Sequence, residues 1–264
     1  MNTLRGRWAL VTGATSGFGE AIAHALARSG ASVAITGRRG QRLANVAQEI
    51  RSRHDVAVSP LVFDVRDRAA VSHVLSGQEE LLSHLDIVVN NAGLALALDP
   101  VSTGDPDDWD QMIDTNVKGL LYVTRAILPG MVERGRGHVV NIGSVAGHLV
   151  YPGGAVYSAT KFAVRAISDA LRHDLLGTGV RVTNVEPGLA ETEFSLVRFK
   201  GDAAKAKAVY EGTEPLRGED VADAVLWAVT RPQHVNVQSI LLMPTDQAGA
   251  GTGALHRRTR KEHA

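Results

Sequence analysis

Two rhythms of apolar and polar residues alternate along almost the whole chain. Short apolar runs fall at 8–11, 32–36, 58–63, 86–89, 138–143, 180–185 and 239–243. They are too short for helices and mostly apolar throughout, which is the signature of strands buried on both faces. Between them the period changes. Ala21, Ile22, Ala25 and Leu26 recur at helical spacing until Gly30 closes the run, and 41–51 follows in the same way. A further amphipathic helix precedes residue 86. Residues 107–131 form the longest periodic stretch, with Trp109, Met112, Ile113, Val117, Leu120, Leu121 and Ile127 marking one apolar face. Ala155 opens another helix, and 219–229 is the last. Seven strands alternating with helices require an α/β architecture, a parallel sheet covered on both faces. Residues 193–215 form a polar segment of uncertain order. Residues 248–264 are Gly-rich and then basic, ending in Arg257-Arg258-Thr259-Arg260-Lys261, and are expected to form a flexible tail behind a single domain spanning 1–247.

Composition narrows the class without changing this picture. A chain of 264 residues suits one large α/β domain. Lys and Arg total 28 against 28 Asp and Glu, so nothing favours nucleic acid or an anionic membrane surface, and the expected partners are small molecules or further copies of the chain. Cysteine is absent, which removes disulfides, thiolate catalysis and cysteine-ligated metal together and fits a reducing cytoplasm. No metal site is expected. The first seven residues lack the apolar core of a signal peptide, and Asn90, Asn91 and Asp99 interrupt the best candidate for a membrane span.

Three stretches carry candidate chemistry. The first strand runs into Thr12-Gly13-Ala14-Thr15-Ser16-Gly17-Phe18-Gly19 and then a helix. Three glycines at a strand-to-helix junction let the backbone turn tightly and bring free N–H groups at the positive helix end to a pyrophosphate. The second strand ends at Gly37-Arg38-Arg39, where a dinucleotide fold commonly places an acid for the ribose. Two arginines there suit a 2′-phosphate, so NADP(H) is preferred to NAD(H), the alternative being a solvated basic turn. Asp64, at the end of the third strand, can accept from an adenine amino group, or equally cap a helix. The amides of Asn90 and Asn91 can bond across a strand end, or sit in a plain turn. In the third stretch, Tyr157 and Lys161 are four residues apart on a helix and share a face. A cation ~5 Å from a phenol favours its ionised form by roughly 3 kcal/mol, about two pKa units, at an effective dielectric of about 20. The bland reading of the pair is an exposed helix face, since the spacing is common by chance. Asn116, inside the long helix, either faces solvent or bonds something specific, and Ser144 ends the fifth strand.

In their order and spacing, TGATSGFG, NNAG, Asn116, Ser144, YSATK and PGLAET resemble the short-chain dehydrogenase/reductase family, in the branch with an Asn-Ser-Tyr-Lys tetrad. The resemblance covers nearly the whole chain. It implies a doubly wound Rossmann sheet, a bound nicotinamide dinucleotide, hydride transfer and commonly a homotetramer built partly on the two long helices. Residues 180–201 and the later MPTDQ look more narrowly like NADP-dependent 3-hydroxy acid dehydrogenases that oxidise serine and allo-threonine. Similar reductases act on malonic semialdehyde or sulfoacetaldehyde. Ala155 and Ser158 depart from that branch.

Carried over onto matching positions, the resemblance makes Tyr157 the acid/base and Lys161 the group that depresses its pKa and reaches the nicotinamide ribose. Ser144 would hold the reacting oxygen, and Asn116 would anchor a water that relays protons to Lys161. The cofactor contacts implied are Gly13, Thr15, Ser16, Gly17, Phe18, Gly19, Arg38, Arg39, Asp64, Val65, Asn91, Tyr157, Lys161, Pro187, Gly188 and Thr192. Arg198 is the arginine placed to pair with a substrate carboxylate or sulfonate. A protein that senses NADPH without turnover is the alternative of a different class, and a complete tetrad argues against it.

Overall fold

A computed structural model describes residues 3–258. Seven parallel strands form one sheet in the order β3-β2-β1-β4-β5-β6-β7. The strands are β1 (Trp8–Val11), β2 (Ser32–Gly37), β3 (Val58–Val62), β4 (Leu85–Asn90), β5 (Gly137–Ile142), β6 (Val180–Pro187) and β7 (Ser239–Leu242). The helices are α1 (Gly17–Arg28), α2 (Gly40–Arg53), α3 (Arg68–Ser76), α4 (Glu79–Ser83), α5 (Pro106–Ile113), α6 (Leu120–Glu133), α7 (Ala155–Asp174), α8 (Glu193–Arg198), α9 (Ala203–Ala208) and α10 (Gly218–Val229).

Continuous apolar runs were the reason to expect strands buried on both faces, and β4, β5 and β6 are buried at every position. Successive side chains feed two separate cores. Ala9 and Val11 of β1 pack with Ile22, Leu26, Leu43, Ile50 and Val225 on the face covered by α1, α2 and α10. Leu10, between them, packs with Val71, Leu75, Val123, Ile127 and Met131 on the other face, under α3 and α6. This is the two-residue period of a strand written into two layers of core. Edge strand β3 carries Pro60, whose missing N–H is tolerated where no further strand pairs.

Four expectations change. The region expected as one helix between β3 and β4 is two, α3 and α4, with Gly77 closing the first. The stretch 107–131 is α5 and α6 joined by a π-helical segment, Asp114–Gly119. Its wider turns break the 3.6-residue register, so Ile113 and Leu121 are exposed while Met112, Leu120 and Ile127 stay buried. The segment of uncertain order holds α8 and α9, each opened by a side-chain cap, from Thr192 to the Phe194 N–H and from Asp202 to the Lys205 N–H. The tail expected to be flexible folds back as far as Arg258. Its Nε donates to Asp246 (3.1 Å), its Nη1 to Glu214 (2.9 Å), and its backbone N–H to the Gly212 carbonyl. Thr259, Arg260 and Lys261 lie outside the described residues. Among those described, no helix is long and apolar enough to cross a membrane.

The chain leaves β1 toward one edge of the sheet and returns to β4 on the other side of β1. In an open parallel sheet that reversal opens a crevice beyond the carboxyl ends of the strands, and the site lies there.

Candidate active site

The turn after β1 is assembled by backbone and amide contacts. Gly13 and Gly17 have φ of +65° and +57°, a region that only glycine enters without strain. Asn91 Nδ2 donates to the Thr12 and Gly13 carbonyls (2.8 and 3.2 Å), while the Thr12 hydroxyl accepts from the N–H groups of Asn91 and Ala92. The NNAG segment therefore clamps the glycine turn. Asn90 serves the fold instead, donating to Thr124 of α6 and to Asn141 on the neighbouring strand β5. Gly19 is required for packing: a Cβ there would lie 2.4 Å from the Gly13 carbonyl oxygen and 2.5 Å from Asn91 Nδ2. Ser16, which precedes α1, makes no capping bond, so the first-turn N–H groups of this 12-residue helix keep their donors for a ligand.

A cleft of about 310 Å³ runs from this turn to α7. Gly13, Thr15, Ser16, Gly17 and Phe18 form one wall, with Arg38, Arg39, Asp64 and Val65 at the far end. Asn91, Thr192, Tyr157 and Lys161 complete it. Gly19, Asn116, Ser144, Pro187, Gly188 and Arg198 stand behind or beside this lining. Uncapped helix donors, left-handed glycines and terminal arginines together fit a phosphorylated dinucleotide.

The arginines are more committed than their sequence suggests. Arg39 donates through Nε and Nη2 to Thr15 Oγ1 (3.2 and 2.9 Å) and through Nη2 to Ser16 Oγ (2.9 Å). Its Nη1 pairs with Glu193 at 3.0 Å, and Arg42 Nη2 pairs with the same carboxylate at 2.8 Å. Arg38 lies 3.6 Å from Asp64, an exposed and loose pair. Arg66 holds that carboxylate more closely, at 2.8 Å. Burial alone would raise the Asp64 carboxyl, but the hydrogen bonds and charge of Arg66 outweigh it and leave it below the usual range. Arg42, Arg66 and Glu193 escaped the sequence reading. Only Glu193 left a trace there, by following Thr192 of the PGLAET segment.

At the other end, α7 presents its reactive face. Lys161 is buried and donates to the Ile142 carbonyl at the end of β5 (2.8 Å). Burial lowers its pKa to about 8. Its Nζ stands 5.8 Å from the Tyr157 ring centroid. The chain's own groups do not produce the expected depression of the Tyr157 pKa. Burial dominates and pushes the phenol up to about 12, opposed by the charge of Arg198 and a hydrogen bond with Ser144. Lys161 donates to a carbonyl, and the nearer cation to the Tyr157 ring is a guanidinium from another element. Arg198, the last residue of α8, has its Cζ 5.2 Å from the Tyr157 ring centroid and 4.9 Å from that of Phe194, and its Nη2 donates to the Tyr151 hydroxyl at 3.0 Å. Tyr151 was not anticipated, and no spacing in the sequence marks it.

Ser144 is buried, its Oγ accepting from the Ala146 N–H at 3.1 Å. Asn116 sits in the π-helical segment and is buried. Its Oδ1 accepts from the Leu94 N–H (2.9 Å), and its Nδ2 donates to the Leu94 carbonyl (2.8 Å) and to Thr160 Oγ1 (3.0 Å). These bonds leave its carboxamide little capacity for a water and instead lock the π-helical segment to α7 beside Lys161. Pro187 accepts from Ser144 Oγ at 3.4 Å, and Gly188 lies under the Gln247 side chain. Leu94, Ala95, Met112, Val156 and Phe194 pack around Tyr157 as a small apolar cluster.

Comparison with known proteins agrees with this geometry. A family model described as short chain dehydrogenase matches residues 7–202. The NADP-dependent 3-hydroxy acid dehydrogenase YdfG of Escherichia coli (strain K12) is 51% identical over 249 residues, 94% of this chain and 98% of that protein. Sulfoacetaldehyde reductase 2 of Chromohalobacter salexigens is 51% identical over 240 residues, 90% of this chain and 94% of that protein. A solved closed form of serine dehydrogenase complexed with NADP+ superposes with a TM-score of 0.87 at 50% identity, covering 95% of this chain and all of that one.

Proposed function

The chain belongs to the short-chain dehydrogenase family and is an NADP-dependent oxidoreductase acting on CH–OH groups; from that premise we propose that its substrate is a short 3-hydroxy acid. Serine, allo-threonine and 3-hydroxypropionate are of this type, and the product is the 3-oxo acid or semialdehyde. The observation that carries the reading is Arg198, a guanidinium over the ring of Tyr157. A cation beside the ring of the phenol that exchanges the proton suits a substrate whose own anion lies two or three bonds from the carbon being oxidised. The apolar cluster around Tyr157 gives the remaining substrate carbons a dry wall.

On this reading Tyr157 takes the hydroxyl proton in oxidation and returns it in reduction. Ser144 holds the oxygen on which charge develops. NADP+ supplies the hydride acceptor when bound. Arg39 and Arg38 would receive its 2′-phosphate, and the turn from Gly13 to Phe18 its pyrophosphate. Lys161, held at the end of β5, keeps a positive charge beside the phenol at neutral pH, since its pKa near 8 still leaves it mostly protonated. Asn116 fixes the spacing between its own helix and the Tyr157–Lys161 face. A short aldehyde bearing a sulfonate is the second reading, because Arg198 grips a sulfonate by the same chemistry and the sulfoacetaldehyde reductase is as similar as YdfG. A homotetramer acting in the cytoplasm is the assembly and setting we attach to this proposal. NADP+ reduction measured over serine, allo-threonine, 3-hydroxypropionate, 3-hydroxyisobutyrate and isethionate tests it. Turnover of the carboxylic acids above isethionate and above uncharged propanol is expected; a preference for the uncharged alcohol would overturn it.

A further inference from the structure

The carboxylate of Glu193 sits where an anion from outside is needed. Arg39 spends Nε and Nη2 on Thr15 and Ser16, so the glycine turn fixes the plane of its guanidinium and leaves Nη1 as the edge free to meet an anion. Glu193 Oε2 takes that edge at 3.0 Å, and Oε1 takes Arg42 Nη2 at 2.8 Å. Two guanidinium groups converging on one carboxylate, beside a serine hydroxyl, form a donor set of the kind that binds a phosphate. Partial burial alone would raise the Glu193 carboxyl, but the hydrogen bonds of Arg39 and Ser16 and the charges of Arg39 and Arg42 hold it below the usual range, so it is ionised at neutral pH. Glu193, Arg38, Arg39, Thr15 and Ser16 all line the same end of the cleft.

We propose that Glu193 is an internal occupant of the 2′-phosphate site. NADP(H) has to displace this carboxylate from Arg39 and Arg42, and NAD(H) does not, so Glu193 sets the preference between the two cofactors lower than the arginines alone would place it. A phosphate dianion and a carboxylate cannot share one guanidinium edge without repulsion. Glu193 is also the first residue of α8, and Arg198 is the last. Displacing the carboxylate at one end of this short helix loosens the attachment of the element that carries the substrate-facing arginine at the other.

Glu193→Gln removes the charge and keeps the size. Binding of NADPH and NADH is followed by fluorescence titration, and binding of adenosine 2′,5′-bisphosphate by calorimetry, on wild type and variant. The pairs are half-exposed and therefore screened, so the expected gain in affinity is about tenfold for NADPH and for the bisphosphate. NADH affinity should stay within about twofold, which also reports an intact fold. Unchanged or weaker NADPH binding, or an equal change for NADH, overturns the role given to Glu193. The inference rests on NADP(H) as the cofactor. A wild-type protein with no preference for NADPH would strike both, whereas a preference that Glu193→Gln leaves untouched strikes this one alone.

Discussion

Replacing Arg198 by glutamine should separate charged from uncharged substrates more sharply than any change in the tetrad. The guanidinium lies 5.2 Å from the centre of the Tyr157 ring and is steadied by Tyr151 at 3.0 Å and by the face of Phe194 at 4.9 Å. Held in that way it loses little freedom when it pairs with a carboxylate. A hydrogen-bonded contact to a charged group contributes about 1.5–3 kcal/mol, and partial exposure of the site places the expectation at the lower end, about 1.5–2 kcal/mol. That corresponds to a roughly 10- to 30-fold loss in kcat/KM for 3-hydroxypropionate. Propanol has no carboxylate to lose and should change by less than about threefold. Arg198 also opposes the rise of the phenol pKa, so the variant should move the rising limb of the oxidation pH–rate profile, set by Tyr157 as base, to higher pH for both substrates. Steady-state NADP+ reduction with the two alcohols, from pH 7 to 10, reads both effects. Equal losses on acid and alcohol would refute the reasoning, because the arginine would then support the fold of α8 and not the substrate.

Tyr157→Phe should reduce kcat by about 10²- to 10⁴-fold while leaving NADPH affinity, measured by fluorescence, nearly unchanged; a parallel loss of binding would remove the acid/base role. Gly19→Ala forces a Cβ to within 2.4 Å of the Gly13 carbonyl oxygen, and should cost about 2–3 kcal/mol and lower Tm by roughly 5–10 °C in calorimetry, whereas an unshifted Tm would show the turn to be loose. Lys161 has a folded pKa near 8 against 10.5 for a free lysine, so between these values the unfolded chain binds more protons and stability rises with pH. Wild-type unfolding free energy should therefore gain on that of Lys161→Met from about pH 8 to 10.5, with a slope approaching 1.4 kcal/mol per pH unit, and parallel curves in denaturant titrations would contradict the burial of a charged lysine.

Those parts of the fold that depend on one-dimensional periodicity were readable before any coordinates. All seven strands are where the apolar runs lie, and in β4, β5 and β6 burial on both faces leaves little choice of residue, whereas the edge strands β3 and β7 are partly exposed. The register of α5 and α6 was not readable, since a π-helical turn inserts an offset that a 3.6-residue template cannot register. Within the site, the glycine turn and Tyr157–Lys161 announce themselves by residue type and spacing. The pairing of Lys161 with the Ile142 carbonyl does not, because backbone groups are the same at every position. Nor does the burial that raises the phenol pKa, because it comes from residues of several elements packed around Tyr157. Glu193 and Tyr151 were missed for a different reason: each acts on residues far away in sequence, Glu193 on Arg39 and Arg42, and Tyr151 on Arg198.

The separation of α8 from the sheet carries a consequence for how such a chain could change. Lys161 and Ser144 are tied to strand ends, Tyr157 to Ser144 and Asn116 to α7 through Thr160, so a substitution near them disturbs the reaction itself. Arg198 belongs to a six-residue helix held at its start by the side chain of Thr192 and by surface ion pairs. On the substrate role proposed for Arg198, substrate choice is housed in a module outside the sheet that meets the proton-transfer machinery through the contacts of Arg198 and Phe194 with the Tyr157 ring. For an engineer, residues 193–198 are the place to seek a new acid or a new aldehyde, with the rest of the chain left as it stands.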